Sequence, residues 1–235
     1  MKIITLNFGK IAVGSRMFNG CDSKFFNDWT HLIAGGLRKG DTVLDSGLEM
    51  PPHMTANIVA ANFLKSDADT LCFIDSDMNF KQDTLSRLRD DPEGWGYDIL
   101  GAMYVTRRTP FAPIVLQYDG KLYHTDIDGI NGKPISTAIA PLGFTLIRRA
   151  VFEKMQKNGV AHPWYFEYGK KGEGEDVVFC RRAKKLGFKI AIHTGIDVTH
   201  RGPIGMVWDH KNKTTEMIAS DQIRQLFPKQ KKKGE

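Results

Sequence analysis

The sequence predicts an α/β fold in which helices flank a mostly parallel central sheet. Short apolar runs alternate with segments of helical period through about the first 105 residues, as expected of parallel strands joined by helices. One of these runs, Leu71–Ile74, leads directly into Asp75 and Asp77, as expected of a buried strand that ends at a ligand site. After about residue 110 the pattern changes to hairpins and short strands. This change predicts a mixed, β-rich second half that completes one domain.

The first half of the chain predicts four strands joined by three helices. Each predicted strand is a short apolar run bounded by polar or turn residues, and each predicted helix has apolar residues near a spacing of 3.6. Because β-α-β units wind in the right-handed sense, the strands are expected to be largely parallel. The predicted strands cover 10–14, 42–44, 71–74 and 99–105, and the predicted helices 25–37, 54–64 and 82–89.

The second half predicts a hairpin, further strands and three helices. Asp119-Gly120 lies between two short apolar runs and is typical of a hairpin turn. Glycines at 159 and 187 are expected to end two of the helices. The predicted elements are a hairpin over 114–123, extended segments over 135–148 and 189–193, and helices over 149–156, from about 175 to 186, and over 214–227.

Composition and charge narrow the class of protein. The formal net charge is +6, and the last eight residues hold four lysines and one glutamate. This balance suits a phosphate-rich partner such as nucleic acid or an anionic lipid surface, and solubility explains it equally well. The three cysteines are far apart and predict reduced thiols. No secretory signal and no run of eighteen apolar residues is found, so we expect a cytoplasmic protein without a membrane span.

Asp75 and Asp77 are the first candidate site residues. Two carboxylates at the carboxyl end of a buried strand repel each other, and a bound divalent cation would relieve that repulsion. Carboxylate oxygens suit Mg²⁺ or Mn²⁺, which usually bridge to substrate phosphates. The alternative is an aspartate-rich turn that caps the next element.

Two later features join this motif. Glu175 and Asp176 follow a glycine-rich loop and begin a predicted helix, where carboxylates either cap the helix or act as acid and base. His200 follows the last predicted strand and is expected at the same sheet edge as Asp77. A single histidine is more often structural than a ligand, so its case depends on this proximity.

Taken in order, these motifs resemble those of GT-A-fold, family 2-type glycosyltransferases over about residues 10–203. The resemblance implies a Rossmann-like GT-A sheet and a metal-bound nucleotide-sugar, with a UDP-sugar as the expected donor. It implies Asp77 as direct ligand of Mn²⁺ or Mg²⁺, Asp75 at the ribose or at metal-bound water, and His200 as the late metal ligand. Asp176, with Glu175, matches the acid/base position. The motifs are Phe73-Ile74-Asp75-Ser76-Asp77-Met78, Gly143-Phe144-Thr145-Leu146-Ile147-Arg148-Arg149, Glu175-Asp176 and Val198-Thr199-His200-Arg201.

The same resemblance implies a donor site and a division of the chain. We predict a nucleotide-binding half over about 1–110, an acceptor and catalytic half over about 111–227, and a disordered basic tail over 228–235. The opening strand departs from the family pattern, since it ends in Gly14-Ser15-Arg16-Met17, and the second helix has Ala56-Asn57 where an arginine-asparagine pair is common. The predicted donor-binding residues are Ser15, Asp45, Asn57, Asp75, Ser76 and Gly143.

The acceptor is expected to be a hydroxyl group. Short phage-type glycosyltransferases, some of which modify hydroxymethylated pyrimidines in DNA, resemble this chain in their compact catalytic unit, and a phage-encoded protein would act in the host cytoplasm. Arg107 and Arg108, the Arg181 to Lys185 face and the lysine tail would then contact phosphates, and Trp164 and Tyr165 would stack on an extruded base. A packed core corner explains the aromatic residues equally well. The alternative acceptors are a glycan, a lipid carrier or a protein hydroxyl.

Two other classes of protein fit parts of the pattern. Aspartyl phosphatases of the haloacid dehalogenase type also end a strand in Asp-x-Asp, but they have Thr or Val where this chain has Asn79. A nucleotide-sugar-binding protein without activity would share the donor motifs. The sequence leaves open whether transfer inverts or retains the sugar configuration.

Overall fold

The computed structural model of the chain describes residues 7–17, 21, 23–45, 50–107, 111–201 and 205–218. Short helical turns cover Leu32–Gly36, Pro92–Gly94 and Lys170–Gly172. The helices are α1 (Ser23–His31), α2 (Pro52–Lys65), α3 (Thr84–Asp90), α4 (Arg149–Lys157) and α5 (Glu175–Lys185). The strands are β1 (Ile11–Arg16), β2 (Thr42–Val43), β3 (Thr70–Asp75), β4 (Met78–Asn79), β5 (Ile99–Met103), β6 (Leu116–Tyr118), β7 (Tyr123–Thr125), β8 (Pro134–Ser136), β9 (Phe144–Arg148), β10 (Ile190–Asp197), β11 (Thr199–His200), β12 (Gly205–Asp209) and β13 (Thr214–Ile218).

Seven of these strands form the central sheet, in the order β2-β1-β3-β9-β5-β10-β8. β1 is parallel to β2 and β3, and β5 is parallel to β10. β9 is antiparallel to both β3 and β5, so five of the seven strands run in one direction. This topology confirms the predicted α/β class and its mostly parallel sheet. The carboxyl ends of β1, β3, β5 and β10 therefore lie at one edge.

β3 is a continuous apolar strand because both faces of the sheet are covered. Its residues from Thr70 to Ile74 are buried, and only Asp75 at its end is partly exposed. On one face, Gly14 of β1 lies so close to α2 that a Cβ there would be 2.3 Å from Val59 Cγ1. On the same face, the Phe73 ring contacts Phe166 edge-on, and Phe166 stacks on Phe179 of α5. This aromatic packing fixes α5 relative to the central strand. On the opposite face, Phe80 packs edge-on against Phe144 of β9, the partner of Ile74.

A second, four-stranded sheet has the order β13-β12-β11-β4. In it Thr199 pairs with Asn79, and His200 pairs with Met78. The Arg201 amide also donates to the Asp77 carbonyl at 2.7 Å. This small sheet brings the segment after β10 back to the end of β3.

The helix predicted over 214–227 is wrong where the structure describes it. Thr214–Ile218 is strand β13, paired antiparallel with β12. Two threonines and an isoleucine are β-branched and favour a pleated strand, and β12 supplies the hydrogen-bonding partner. Residues 219–227 and the basic tail over 228–235 lie outside the described residues.

The remaining predicted elements are confirmed, with shifts of a few residues at their ends. β6 and β7 form the hairpin, and Asp119 Oδ1 accepts the backbone amides of Lys121 and Leu122 in its turn. Gly159 and Gly187 follow α4 and α5 with positive φ, as expected of helix-ending glycines. In the described part of the chain, no helix has the length and apolar character required to cross a membrane.

Candidate active site

A cavity of about 910 Å³ opens at the edge where the parallel strands end. Arg16 and Asp75 reach it from β1 and β3, and Tyr104 from the segment after β5. Leu142, Pro141, Ile114 and Leu116 form an apolar wall. The position agrees with the general rule that open α/β sheets bind ligands beyond the carboxyl ends of their strands. Its charged and titratable lining residues include Arg16, Asp75, Asp77, Arg107, Glu175, Asp176 and His200.

Asp77 and His200 lie next to each other in the cavity lining. Asp77 Oδ2 is 3.4 Å from His200 Nε2 and 2.7 Å from Arg107 Nη1. Asp77 Oδ1 is buried and has no hydrogen-bond partner among the described residues. Burial opposes ionisation of Asp77, but the hydrogen bond and charge of His200, with the charge of Arg107, outweigh it and hold the pKa of Asp77 below its usual value.

The hydrogen-bond partner of His200 Nδ1 determines which ring nitrogen is available to a metal ion. His200 Nδ1 lies 3.3 Å from the Val105 carbonyl, which can only accept a hydrogen bond, so Nδ1 carries a proton. With Nδ1 protonated in this way, Nε2 would offer its lone pair to a metal ion once it gives up the proton that it donates to the Asp77 carboxylate. Two electron-donating atoms at this separation, beside an unpartnered carboxylate oxygen, fit a divalent cation.

These protein atoms would hold a metal ion only weakly without a further ligand. Within the described ranges, no three side chains of His, Cys, Asp or Glu approach closely enough to form a metal site. Asp77 and His200 are two ligands, and Mg²⁺ in particular is commonly held by one or two protein groups together with substrate phosphates. The donor set thus fits a metal that is completed by a diphosphate.

Arg16 is the site residue that the sequence analysis missed. Its Nε and Nη2 donate to the two carboxylate oxygens of Asp75, each at 2.6 Å, and its Nη1 donates to Glu175 Oε1 at 2.5 Å. Burial opposes the charge of Arg16, but the two carboxylates outweigh it and raise its pKa. Arg16 pairs in register with Asp75 at the ends of β1 and β3, so a charged residue ending the first strand was the signal available.

Asp75 is therefore engaged differently from Asp77. Both of its oxygens accept hydrogen bonds from Arg16. Its predicted place at the ribose, at metal-bound water or at the metal stays a prediction. The register places the Arg16 fork directly beside the carboxylate, which a sequence motif does not show. Asp77, two residues later, is left to face His200.

Asp176 is a third carboxylate in the cavity lining, and its environment differs from those of Asp75 and Asp77. It lies in the first turn of α5, and its Oδ1 accepts the Val177 amide at 2.8 Å. Burial, followed by the adjacent charge of Glu175, raises the pKa of Asp176, and Arg16 opposes this rise. A buried carboxyl with a raised pKa in a cleft is typical of groups that transfer protons.

The predicted donor residues are only partly brought together. Ser76 lines the cavity, whereas Asp45 is exposed and Ser15 is buried away from the lining. Gly143 is also buried and lies beneath the site, where its carbonyl accepts the Asp75 amide at 2.9 Å.

Asn57, a predicted donor-binding residue, is buried and is not among the described residues that line the cavity. Its side-chain amide donates to the Phe166 carbonyl at 2.8 Å, and its oxygen accepts the Phe166 amide at 2.9 Å. Both polar ends of Asn57 are consumed by one backbone segment. This residue ties α2 to the aromatic core, and its role at a donor stays a prediction.

The predicted acceptor residues are dispersed. Tyr165 is fully buried and its ring contacts Phe152 edge-on, so it has no free face for a base, and the packed-corner interpretation is correct for it. Trp164 is 52 % exposed but lies outside the cavity lining. Arg107 lines the cavity and binds Asp77. Arg108 lies outside the described residues.

Comparison with solved structures supports the assignment of the fold, which is GT-A-like. The crystal structure of A197 from STIV matches with a TM-score of 0.56 and 16 % identity, over 90 % of this chain and 95 % of that one. The crystal structure of GalNAc-T7 with UDP, GalNAc and Mn²⁺ matches with a TM-score of 0.56 and 13 % identity. That match covers 82 % of this chain but 43 % of GalNAc-T7. No family model matches the sequence, and a search of curated proteins finds no match.

Proposed function

We propose that this chain is a metal-dependent glycosyltransferase that moves a sugar from a nucleotide-sugar, specifically a UDP-sugar, to an acceptor hydroxyl. The observation that carries the proposal is that Asp77, His200 and Asp176 line one cavity at the carboxyl edge of a GT-A-like sheet. The similarity to a structure that contains UDP and Mn²⁺ supports the donor class.

On this proposal the chain has separate groups for the donor and the acceptor. Asp77 and His200 would hold Mn²⁺ or Mg²⁺, which supplies Lewis-acid neutralisation of the leaving diphosphate when bound. The acceptor oxygen forms a bond to the anomeric carbon as the bond from that carbon to the diphosphate oxygen breaks. The electron pair leaves with the diphosphate, and the hydroxyl proton passes to Asp176. Such a transfer inverts the sugar configuration.

For the acceptor we propose a hydroxymethylated pyrimidine in DNA, supported by the net charge of +6 and the lysine-rich end of the sequence. A glycan hydroxyl is the second candidate, and a specific observation favours it. Arg181 pairs with Glu173 and Arg182 pairs with Glu167, so these two cations of α5 are already neutralised.

The test is a screen of UDP-sugars with Mn²⁺ against hydroxymethylcytosine DNA, unmodified DNA and oligosaccharides. We expect transfer to one acceptor class, a slower Mn²⁺-dependent hydrolysis without acceptor, and loss of both in Asp77→Asn. Transfer to oligosaccharides alone would overturn the DNA proposal and leave the transferase proposal intact. No release of UDP under any condition would overturn both, and unchanged Mn²⁺-dependent UDP binding by Asp77→Asn would remove Asp77 from the metal site.

The two other classes give different outcomes. A phosphatase would need Asp75 as its nucleophile, but both Asp75 oxygens are held by Arg16. Phosphate release from simple phosphomonoesters would nevertheless establish that class. A nucleotide-sugar-binding protein without activity would bind UDP with Mn²⁺ and release no sugar.

A further inference from the structure

Arg16 connects the two sides of the cavity. Its guanidinium grips Asp75 at the end of the central strand with two hydrogen bonds and reaches Glu175 at the start of α5 with a third. The side chains of Arg16 and Glu175 are only 11 % and 12 % exposed. Charge-assisted, two-pronged contacts of this kind are geometrically specific, and a lysine cannot reproduce them.

The third neighbouring carboxylate is left out of this network. Asp176 accepts a backbone amide from Val177 and makes no ion pair with any residue that the structure describes. Glu175 and Asp176 are adjacent in sequence, so the sequence alone does not distinguish their roles. The contacts of Arg16 do.

We propose that Arg16 is a positioning residue that binds Asp75 and Glu175 and thereby leaves Asp176 as the member of this trio that takes the acceptor proton. The proposal rests on the proposed transferase function for the fate of that proton. The electrostatic part of the proposal, that the charge of Arg16 affects the titration of Asp176, does not depend on any substrate. Arg16 acts through Asp176, and no direct contact of Arg16 with substrate is needed.

The other titratable groups around Asp176 do not supply this control. The pKa values of Tyr104 and Tyr168 are raised, mainly by burial, and burial raises the pKa of Cys180 to about 12. These three groups are neutral over the range in which a carboxyl titrates. The charges that act on Asp176 are therefore those of Glu175, Arg16 and Asp75.

The test is a titration of the Asp176 carboxyl carbon by NMR in the full ¹³C-labelled chain, with the resonance assigned by its loss in Asp176→Asn. In Arg16→Gln we expect the pKa of Asp176 to move up, because a nearby positive charge is lost. In Glu175→Gln we expect it to move down, because a neighbouring negative charge is lost. Arg181→Gln removes an arginine of α5 that pairs with Glu173 and should leave the pKa of Asp176 unchanged.

A merely structural role gives a different result. If Arg16→Gln lowers thermal stability while the Asp176 titration stays at its wild-type position, the proposal is overturned. If Arg16→Gln does not fold, Glu175→Gln still tests it, since an unchanged titration there contradicts the same electrostatic network. Arg16→Lys keeps the charge without the fork and should restore the titration in part.

The functional part has a separate readout. Where UDP-sugar hydrolysis with Mn²⁺ is measurable, the acidic limb of its pH profile should move up in Arg16→Gln and down in Glu175→Gln. Shifted titrations without any turnover would uphold the role of Arg16 and contradict the proposed function. If both variants turn over with the same pH profile as the wild-type chain, the proposed function is upheld and the role of Arg16 is overturned.

Discussion

At the scale of single residues, environment separates carboxylates that look alike in the sequence. Asp75 is held by Arg16, while Asp77 lies beside His200 and has one buried oxygen without a partner in the described part of the chain. Asp176 is buried beside Glu175 and has a raised pKa, whereas Asp77 has a lowered one. Groups of the same type with pKa values pushed in opposite directions are typical of sites that divide ionic and proton-transfer roles.

The raised pKa of Asp176 predicts that replacing this carboxyl by an amide increases stability and abolishes turnover. The folded state favours the protonated form, so the chain loses stability as pH rises from the unfolded value of about 3.9 through the folded pKa. Asp176→Asn removes this cost and should raise the melting temperature at neutral pH. The gain should disappear in acid, below the unfolded pKa, and donor turnover should be lost while UDP affinity is kept.

Thermal denaturation of both chains between pH 3 and 8, with calorimetric UDP titrations, measures this. A gain that is the same at every pH would mean that packing, not ionisation, is responsible. Equal loss of UDP affinity and turnover would instead point to Asp176 as a helix cap.

Arg107 predicts a competition for Asp77. Its guanidinium is 2.7 Å from Asp77 Oδ2, and a metal ion bound there would meet its positive charge. Arg107→Ala should therefore increase the affinity for Mn²⁺ alone, by at most about fivefold, because a half-exposed ion pair contributes at most about 1 kcal/mol. Calorimetry with Mn²⁺ in the absence of nucleotide tests this, and Arg181→Ala is the matched control. Unchanged or weaker binding in Arg107→Ala would contradict the competition.

At the scale of elements, the four-stranded sheet places His200 beside the end of β3. β11 pairs with β4, and this pairing sets His200 opposite the residues that follow Asp77. The aromatic contact between Tyr104 and His200 supports the ring from the side of β5. A strand pair of two residues each thus brings together groups more than 120 positions apart in the sequence.

The contact of β1 with α2 gives a prediction about packing. An added Cβ at Gly14 would be 2.3 Å from Val59 Cγ1, in a buried layer with no free space at that point. Gly14→Ala should destabilise the chain by about 1–3 kcal/mol, which lowers the melting temperature by about 2–4 °C per kcal/mol. Gly96→Ala meets nothing within 4 Å and should be neutral or slightly stabilising.

A double substitution separates crowding from other causes. In the Gly14→Ala background, Val59→Ala should cost less than it does in the wild-type chain, because the smaller side chain relieves the clash. Additive effects of the two substitutions in chemical denaturation would show that the contact is not the source of the cost.

At the scale of the whole molecule, charge predicts how an acceptor would be held. The four lysines among residues 228–235 would contact DNA phosphates without regard to sequence, and each neutralised phosphate contributes about 0.9 to the slope of log K against log salt. Deletion of 228–235 should weaken DNA binding, flatten this slope and raise the apparent KM for DNA. Turnover at saturating DNA should change little, because such contacts bind ground and transition states alike.

Binding of the intact and truncated chains across a salt series is the measurement. Hydrolysis of the donor without acceptor serves as the control and should be unaffected. Identical affinities and slopes would limit the lysines to solubility and would favour a glycan acceptor.

The sequence by itself determined the central sheet and the neighbourhood of its site. Apolar runs of strand length are visible locally because a strand buried on both faces has to be apolar throughout, as β3 is. Polar residues directly after such runs, Asp75, Asp77 and His200, were expected at one edge because parallel strands end together, and they do line one cavity. Their chemical roles stay predictions.

Tertiary structure alone decided which of these groups meet. The ion pairs of Arg16, the use of Asn57 by the Phe166 backbone and the burial of Tyr165 depend on register and packing between distant segments. The strand β13 was missed for the same reason, since its hydrogen-bonding partner lies outside its own local sequence. Local patterns report periodicity and burial, whereas the partner of a charged or polar side chain is set by contacts that no local pattern encodes.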